Sequence, residues 1–491
     1  MSETIKTENI NKDIIYEEIE QLAAHYQPWM VKLRRDFHKF PETGWLEVRT
    51  SAVIAKELAE MGYEVVTGRA VCREESRMAV PEPEIREEHF RKVSQQAEQE
   101  DYGSYLTEDM REGFTGVVGI LHFRDAKTQK EAKKDVKDGG IAEEKPPVIA
   151  LRFDIDALPI TESEEDGHRP YREGFSSRYP GMMHACGHDC HAAIGLGAAR
   201  ILADLKKKLE KYESTSLALK GTVKLLFQPA EEGTRGAAAM VAAGHLDGVD
   251  YFAGTHVAPE DGEDDGDMTP GSCGSLATSK YHVYFHGKSA HAGGVPEQGR
   301  NAVLAAAHAV VGLAGISRHS GGMSRVNVGL IQGGSASNVV ADACMFAMEV
   351  RGETTEINDY MAKRAREVCE AAAMMEGCTC EMELRGQAPS QISSPELAGR
   401  IAEMMEMHYP EIRVSSNRNP RNPGSEDIGF MMERVQKQGG QAVYMRSVTK
   451  MASPQHTIRF DVDERVLRTG AVTFAAIVCD LMNIERRRTI R

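Results

Sequence analysis

The sequence predicts an α/β protein in which an outer unit is interrupted by an inserted two-layer unit. Three observations carry that expectation. Short apolar runs at 147–153, 223–227 and 251–257 lead into polar residues and alternate with helical segments, the α/β pattern. Near Ser279 the character changes, and strand, helix, strand, strand, helix and strand follow over about a hundred residues. From Pro395 the first pattern resumes. The outer unit is therefore expected at 1–278 and 395–491, with the insert at 279–394.

Taken in order, 14–39 has apolar residues near helical spacing and carries Arg34-Arg35-Asp36-Phe37-His38 near its end; Pro41 to Gly44 breaks it. Residues 47–61 form a second helix with Ala52, Ile54, Ala55 and Leu58 inward, and 62–66 turns into a strand. The charged stretch 70–112 reads as a surface helical insertion. A strand at 115–123 precedes a Lys-, Asp- and Gly-rich segment at 124–145, expected to be a solvated loop. Three strands, 147–153, 223–227 and 251–257, alternate with helices at 192–211 and 236–243. Strands at 280–286, 324–332, 343–351 and 379–384 with helices at 300–313 and 356–375 make the insert, and a helix at 395–407 reopens the outer unit.

The net charge of −15 disfavours nucleic acid and anionic membranes. An apolar leader and an apolar run of about 18 residues are both missing, so neither secretion nor a membrane span is expected. Nine cysteines without a framework spacing fit reduced thiols in a cytoplasm.

The chemistry concentrates in His184-Ala185-Cys186-Gly187-His188-Asp189-Cys190-His191, where imidazole, thiolate and carboxylate form a transition-metal ligand set. Two carboxylates, Glu231-Glu232, follow the strand at 223–227; one could hold a metal and the other take a proton from water. His256 sits at another strand end, and His456 follows late in the chain. A surface glutamate pair, a nucleophilic Cys186 and a structural zinc site are the competing readings. The paired Cys-x-x-Cys spacing of structural zinc is missing. Asp154 and Asp156 could orient a histidine or cap a turn.

Eight stretches occur in a telling order: Arg34 to Glu42, Asp154 to Pro159, His184 to Asp189, Phe227 to Gly233, Gly254 to Val257, Ser289 to Gly293, Gly424 to Asp427 and His456 to Glu464. Together they resemble the amidohydrolase branch of the dinuclear aminoacylase/carboxypeptidase metallopeptidase family, which includes hippurate hydrolases and hydrolases of indole-acetyl amino acids. The resemblance implies a catalytic α/β domain with an inserted ferredoxin-like lid that dimerises. It implies two divalent ions, Mn or Zn, held by Cys186, His188, Glu232, His256 and His456, with Cys186 bridging. It implies Glu231 as general base, His291 as a donor to the developing oxyanion, often across a dimer interface, and Asn338 and Arg351 as binders of the substrate carboxylate. Many relatives outside the branch carry a ligand histidine where Asp154 stands. His184 and Asp189 then become supporting residues, and Cys190 and His191 ordinary positions at the start of the next helix. The expected reaction is hydrolysis of an N-acyl or N-aroyl amino acid, p-aminobenzoyl-glutamate first. The alternatives are another conjugate, such as indole-acetyl-aspartate, or a weakly active subunit that needs a homologous partner. A homodimer or such a heteromer is the expected assembly.

Overall fold

The computed structural model describes residues 2–98, 100–123, 145–211, 219–260, 266–421 and 424–482. The charged segment expected as a loop at 124–145 lies, but for Lys145, outside them.

The chain begins with α1 (Ser2–Lys39), whose Ile19, Ala23, Met30, Leu33 and Phe37 form one buried stripe, and continues with α2 (Val48–Met61). Gly62 ends α2 at φ 89°, a left-handed cap that a side chain would strain. Strand β1 (Glu64–Thr67) is followed by α3 (Pro83–Ala97) and β2 (Val117–Phe123). The stretch between β1 and β2 is helical over Pro83–Ala97 and largely at the surface, as the charges suggest, but it is anchored in the core. Phe90, Val93 and Ala97 are buried at helical spacing, and Val71, Met110 and Phe114 are buried on either side of that helix. Fully buried Trp45 donates its indole N–H to the Met78 carbonyl at 2.8 Å. A few apolar residues at the right period outweigh many solvated charges.

Strand β3 (Val148–Asp154), α4 (His188–Lys211), β4 (Gly221–Gln228), α5 (Ala237–Ala242), β5 (Tyr251–Pro259) and the short β6 (Met268–Thr269) follow. The next block is β7 (Ala277–His286), α6 (Ala302–Ala314), β8 (Ser324–Gly333), β9 (Ala343–Gly352), α7 (Thr355–Met375) and β10 (Thr379–Ala388). The chain closes with α8 (Pro395–His408), α9 (Ile428–Lys437), β11 (Gln441–Thr449) and α10 (Arg465–Met482).

Two sheets result. The larger runs β1-β2-β4-β3-β5-β11-β6, with β4, β3, β5 and β11 parallel and the flanking strands antiparallel. One face is covered by α1, α2, α4, α8 and α10, the other by α5 and α9. The smaller sheet is antiparallel in the order β10-β7-β9-β8. Helices α6 and α7 cover one of its faces, burying Val283, Phe285, Phe346, Met361 and Ala365. Side chains alternate along a strand, so Lys280, Asn327, Glu349 and Arg351 lie on the face away from those helices. This is an α/β fold with two sheets, and no helix among the described residues is long and apolar enough to cross a membrane.

Candidate active site

The carboxyl ends of parallel strands are where an open α/β sheet gathers its chemistry. Here Asp154 ends β3 and Asp156 follows it, the turn 229–236 follows β4, His256 lies on β5, and His456 follows β11. His188 is the first residue of α4, four residues earlier than the expected start at Ala192.

The turn after β4 is strained. Ala230, Gly233 and Thr234 have φ of 52°, 88° and 65°. Left-handed backbone at a residue other than glycine costs roughly 1–3 kcal/mol and persists only where surroundings enforce it. Enforcement comes from two buried carboxylates. Glu47 accepts the Ala230 N–H at 2.8 Å; Asp156 accepts the Glu231 N–H at 3.0 Å and the Glu232 N–H at 2.9 Å. Asp156 also faces His188, whose Nδ1 lies 2.9 Å from the Asp156 carbonyl oxygen and 3.2 Å from its carboxylate. Nδ1 must then carry the proton, which leaves Nε2 as a lone pair aimed inward.

That Nε2 is buried without a hydrogen-bond partner among the described residues, and so is Glu232 Oε1. Buried polar atoms are almost always paired, so two orphans at one point mark a place for a ligand. Cys186 Sγ lies 3.4 Å from His256 Nε2, while His256 Nδ1 is 2.7 Å from the Val257 carbonyl oxygen, which again frees Nε2. His456 Nε2 lies 3.5 Å from Glu232 Oε1 on a half-exposed turn. Donor atoms of Cys186, Glu232 and His456 fall within 4.8 Å of one another, as do those of His188, Glu231 and Glu232. The two groups share Glu232. Burial pushes Glu232 up to about 7, and burial together with Glu426, Glu232 and Asp427 holds Glu231 well above the usual carboxylate range. Sulfur, imidazole and crowded carboxylates of this kind fit divalent cations, whose charge would offset the repulsion.

His191 is more than an ordinary helix residue. Its Nε2 accepts the Val257 N–H at 2.9 Å, so Nδ1 carries the proton and donates to Asp154. Both nitrogens are spent, and His191 braces β5 against β3 beside the cluster. Its i, i+3 spacing from His188 on one helix face was the available signal. Asp154 is spent likewise, on His191 and on Arg152 at 2.6 Å. Arg152 is fully buried and also meets Glu426 at 2.9 Å and Asp427 at 3.3 Å. Neither Asp154 nor His191 offers a free donor atom. Asp189 faces away from the cluster, held by Arg34 and His38, both at 2.8 Å.

The other expected residues lie elsewhere. His291 is exposed on the loop after β7, its Nδ1 accepting the Gly293 and Gly294 N–H groups at 3.1 and 3.0 Å, so Nε2–H is left to donate. Asn338 is beside it, its carbonyl accepting the Ala292 N–H at 3.0 Å. No contact among the described residues joins either to the cluster. Arg351 holds both oxygens of Glu349, at 3.2 and 3.1 Å, and reaches Ser425 at 3.5 Å.

Between the Glu232 turn and the open face of the small sheet is a cleft of about 600 Å³. Ala157, Leu158, Glu232 and Arg235 line one wall, and Lys280, Asn327, Glu349 and Arg385 the other. Its size suits a small organic substrate.

Residues 150–480 match the model of peptidase family M20/M25/M40. Over 462 residues, 94% of this chain and 97% of the relative, the sequence is 41% identical to an indole-3-acetyl-aspartic acid hydrolase of Enterobacter agglomerans. It is 40% identical over 463 residues, with the same coverage, to a chain of Escherichia coli K12 named as one of the subunits of p-aminobenzoyl-glutamate hydrolase. Among solved structures, an aminobenzoyl-glutamate utilization protein from Klebsiella pneumoniae aligns with a TM-score of 0.73 at 34% identity, covering 94% of this chain and 98% of that one.

Proposed function

The chain belongs to peptidase family M20/M25/M40 and is a metal-dependent amidohydrolase; on that premise we propose that it cleaves p-aminobenzoyl-glutamate to p-aminobenzoate and glutamate. The carrying observation is the pair of orphaned buried atoms, His188 Nε2 and Glu232 Oε1, beside a substrate-sized cleft. Cys186, His188, Glu232, His256 and His456 would hold two divalent ions, Mn or Zn. Such ions supply Lewis acidity toward the amide carbonyl and the attacking water. Glu231 takes the proton of that water as its oxygen bonds to the carbonyl carbon, then passes it to the leaving nitrogen as the C–N bond breaks. Asn338 and Arg351 bind the substrate carboxylate, and His291 donates Nε2–H to the oxyanion.

His291 and Asn338 are distant partners for a cluster in the same chain, which supports their use in a dimer. We place the division between catalytic and lid domains at 279 and 394, and the dimer contact on the lid. Edge strand β8 is largely exposed, and Leu330, Ile331, Val303, Leu304 and Val311 stand exposed on β8 and α6. Nine unpaired cysteines support a cytoplasmic setting. Indole-acetyl-aspartate is the second reading, supported by the relative from Enterobacter agglomerans. A homologous partner chain is supported by the name of the Escherichia coli relative.

The test is metal analysis coupled to glutamate release from p-aminobenzoyl-glutamate, with and without chelator, and indole-acetyl-aspartate beside it. Glu231→Gln is expected to keep its metal and lose about 10²–10⁴ in rate. Near-normal turnover by that variant, or turnover that a chelator spares, refutes the assignment.

A further inference from the structure

Among the described residues, two cations of the cleft have no hydrogen-bonded or ion-paired carboxylate. Lys280, on β7, stands in register with Glu349 on β9. Cross-strand neighbours of opposite charge ordinarily pair, but Arg351 already holds both oxygens of Glu349. Lys280 is partly buried, lines the cleft, and has no hydrogen bond or ion pair among the described residues. The charged groups that act on it are Glu231, Glu349, Arg351 and Glu232. Arg235 lines the opposite wall. Its Nε donates to the Glu232 carbonyl at 2.7 Å and one terminal nitrogen to the Ala79 carbonyl at 3.4 Å. The other terminal nitrogen lies over Gly44, in space that a Cβ there would fill. Backbone atoms thus fix the arginine and leave its charge unspent. Arg385, the third cation of the cleft, is committed to Glu383.

An amino acid such as glutamate or aspartate brings two carboxylates; Arg351 is assigned to one, and the cleft has two unspent cations for the other. We infer that Lys280 and Arg235 bind the side-chain carboxylate of the amino-acid half of the substrate, and so select conjugates of acidic amino acids over neutral ones. The inference rests on the amidohydrolase reading and narrows its substrate class. Positioning of Arg235 by Ala79 gives the segment between β1 and β2 a part in that selection.

The test compares the glutamate and glutamine conjugates of p-aminobenzoate, which differ only in the charge of the side chain. On metal-loaded protein, wild type is expected to favour the glutamate conjugate in kcat/KM by about tenfold to a hundredfold. Lys280→Met and Arg235→Met should each lower kcat/KM for the glutamate conjugate well beyond any loss on the glutamine conjugate, and so collapse that ratio; Lys280→Arg should retain the preference. Calorimetric binding of both conjugates, on a Glu231→Gln background, reads the same preference without turnover. If neither conjugate is hydrolysed but binding still favours glutamate, the amidohydrolase reading fails and the inference stands. Equal loss on both conjugates in the methionine variants, or wild-type binding without preference, overturns it.

Discussion

His38 makes stability depend on pH in a calculable way. The ring is fully buried, with Nδ1 2.8 Å from Asp189 and Nε2 3.0 Å from Glu162. The other groups facing it are the Arg34 guanidinium, which opposes its charge, His184 at 6.4 Å between ring centroids, the Phe175 ring, and His168, which shares Glu162 at 2.7 Å. Burial works against the charged ring, but the two carboxylates prevail and raise its pKa from 6.5 to about 9. A shift of this size corresponds to about 3 kcal/mol. Because the folded value is the higher one, that stability is complete below 6.5 and is lost as pH rises through about 9. The same contacts lower Glu162 from 4.5 to about 2, so its share is present above 4.5 and disappears in acid. Urea unfolding of metal-loaded wild type and His38→Gln should therefore differ most between pH 4.5 and 6.5 and converge on either side. A wild-type advantage that stays level, or grows, from below 6.5 to above 9 refutes the reasoning.

Two further outcomes follow from the same geometry. Asp156→Ala removes the acceptor of the Glu231 and Glu232 N–H groups and of His188 Nδ1; metal affinity by chelator competition should fall about 10- to 100-fold, as for other groups that orient a ligand. Arg152→Met leaves Asp154, Glu426 and Asp427 buried without their cation; urea unfolding should show a loss of about 3–5 kcal/mol, whereas a loss below about 1 kcal/mol would contradict the network's role.

The two-sheet α/β fold and the strand-end cluster were legible because apolar runs, and the polar residues that follow them, are local signals. Short apolar runs placed β3, β4 and β5, and the order of strands and helices read for the insert is the order found in 277–388. Two things escaped. The core anchor of the stretch between β1 and β2 was hidden because its charges outnumber Phe90, Val93 and Phe114, and composition hides which few residues face inward. His191 looked ordinary because its role depends on the Val257 N–H, contributed by a strand distant in sequence. Arg152 and Lys280 escaped for the same reason: a lone cation on an apolar strand acquires meaning only from the carboxylates that pair with it or are already taken.

The ion network around Arg34 sets a timetable for biosynthesis. Arg34 meets Asp189 near the site, and also Asp461 and Glu464 in the C-terminal part of the chain. His456 and β11, the last of the four parallel strands in the sheet order, come from that same late part. Ribosomes release the N-terminal helix first, yet its arginine waits through several hundred residues of synthesis for its last partners. A nascent chain stalled after the small sheet would own Cys186, His188, Glu232 and His256 but not the strand and turn that complete their enclosure. Closure of the cluster therefore belongs to the finished chain, and a C-terminal truncation would leave Arg34 buried without Asp461 and Glu464.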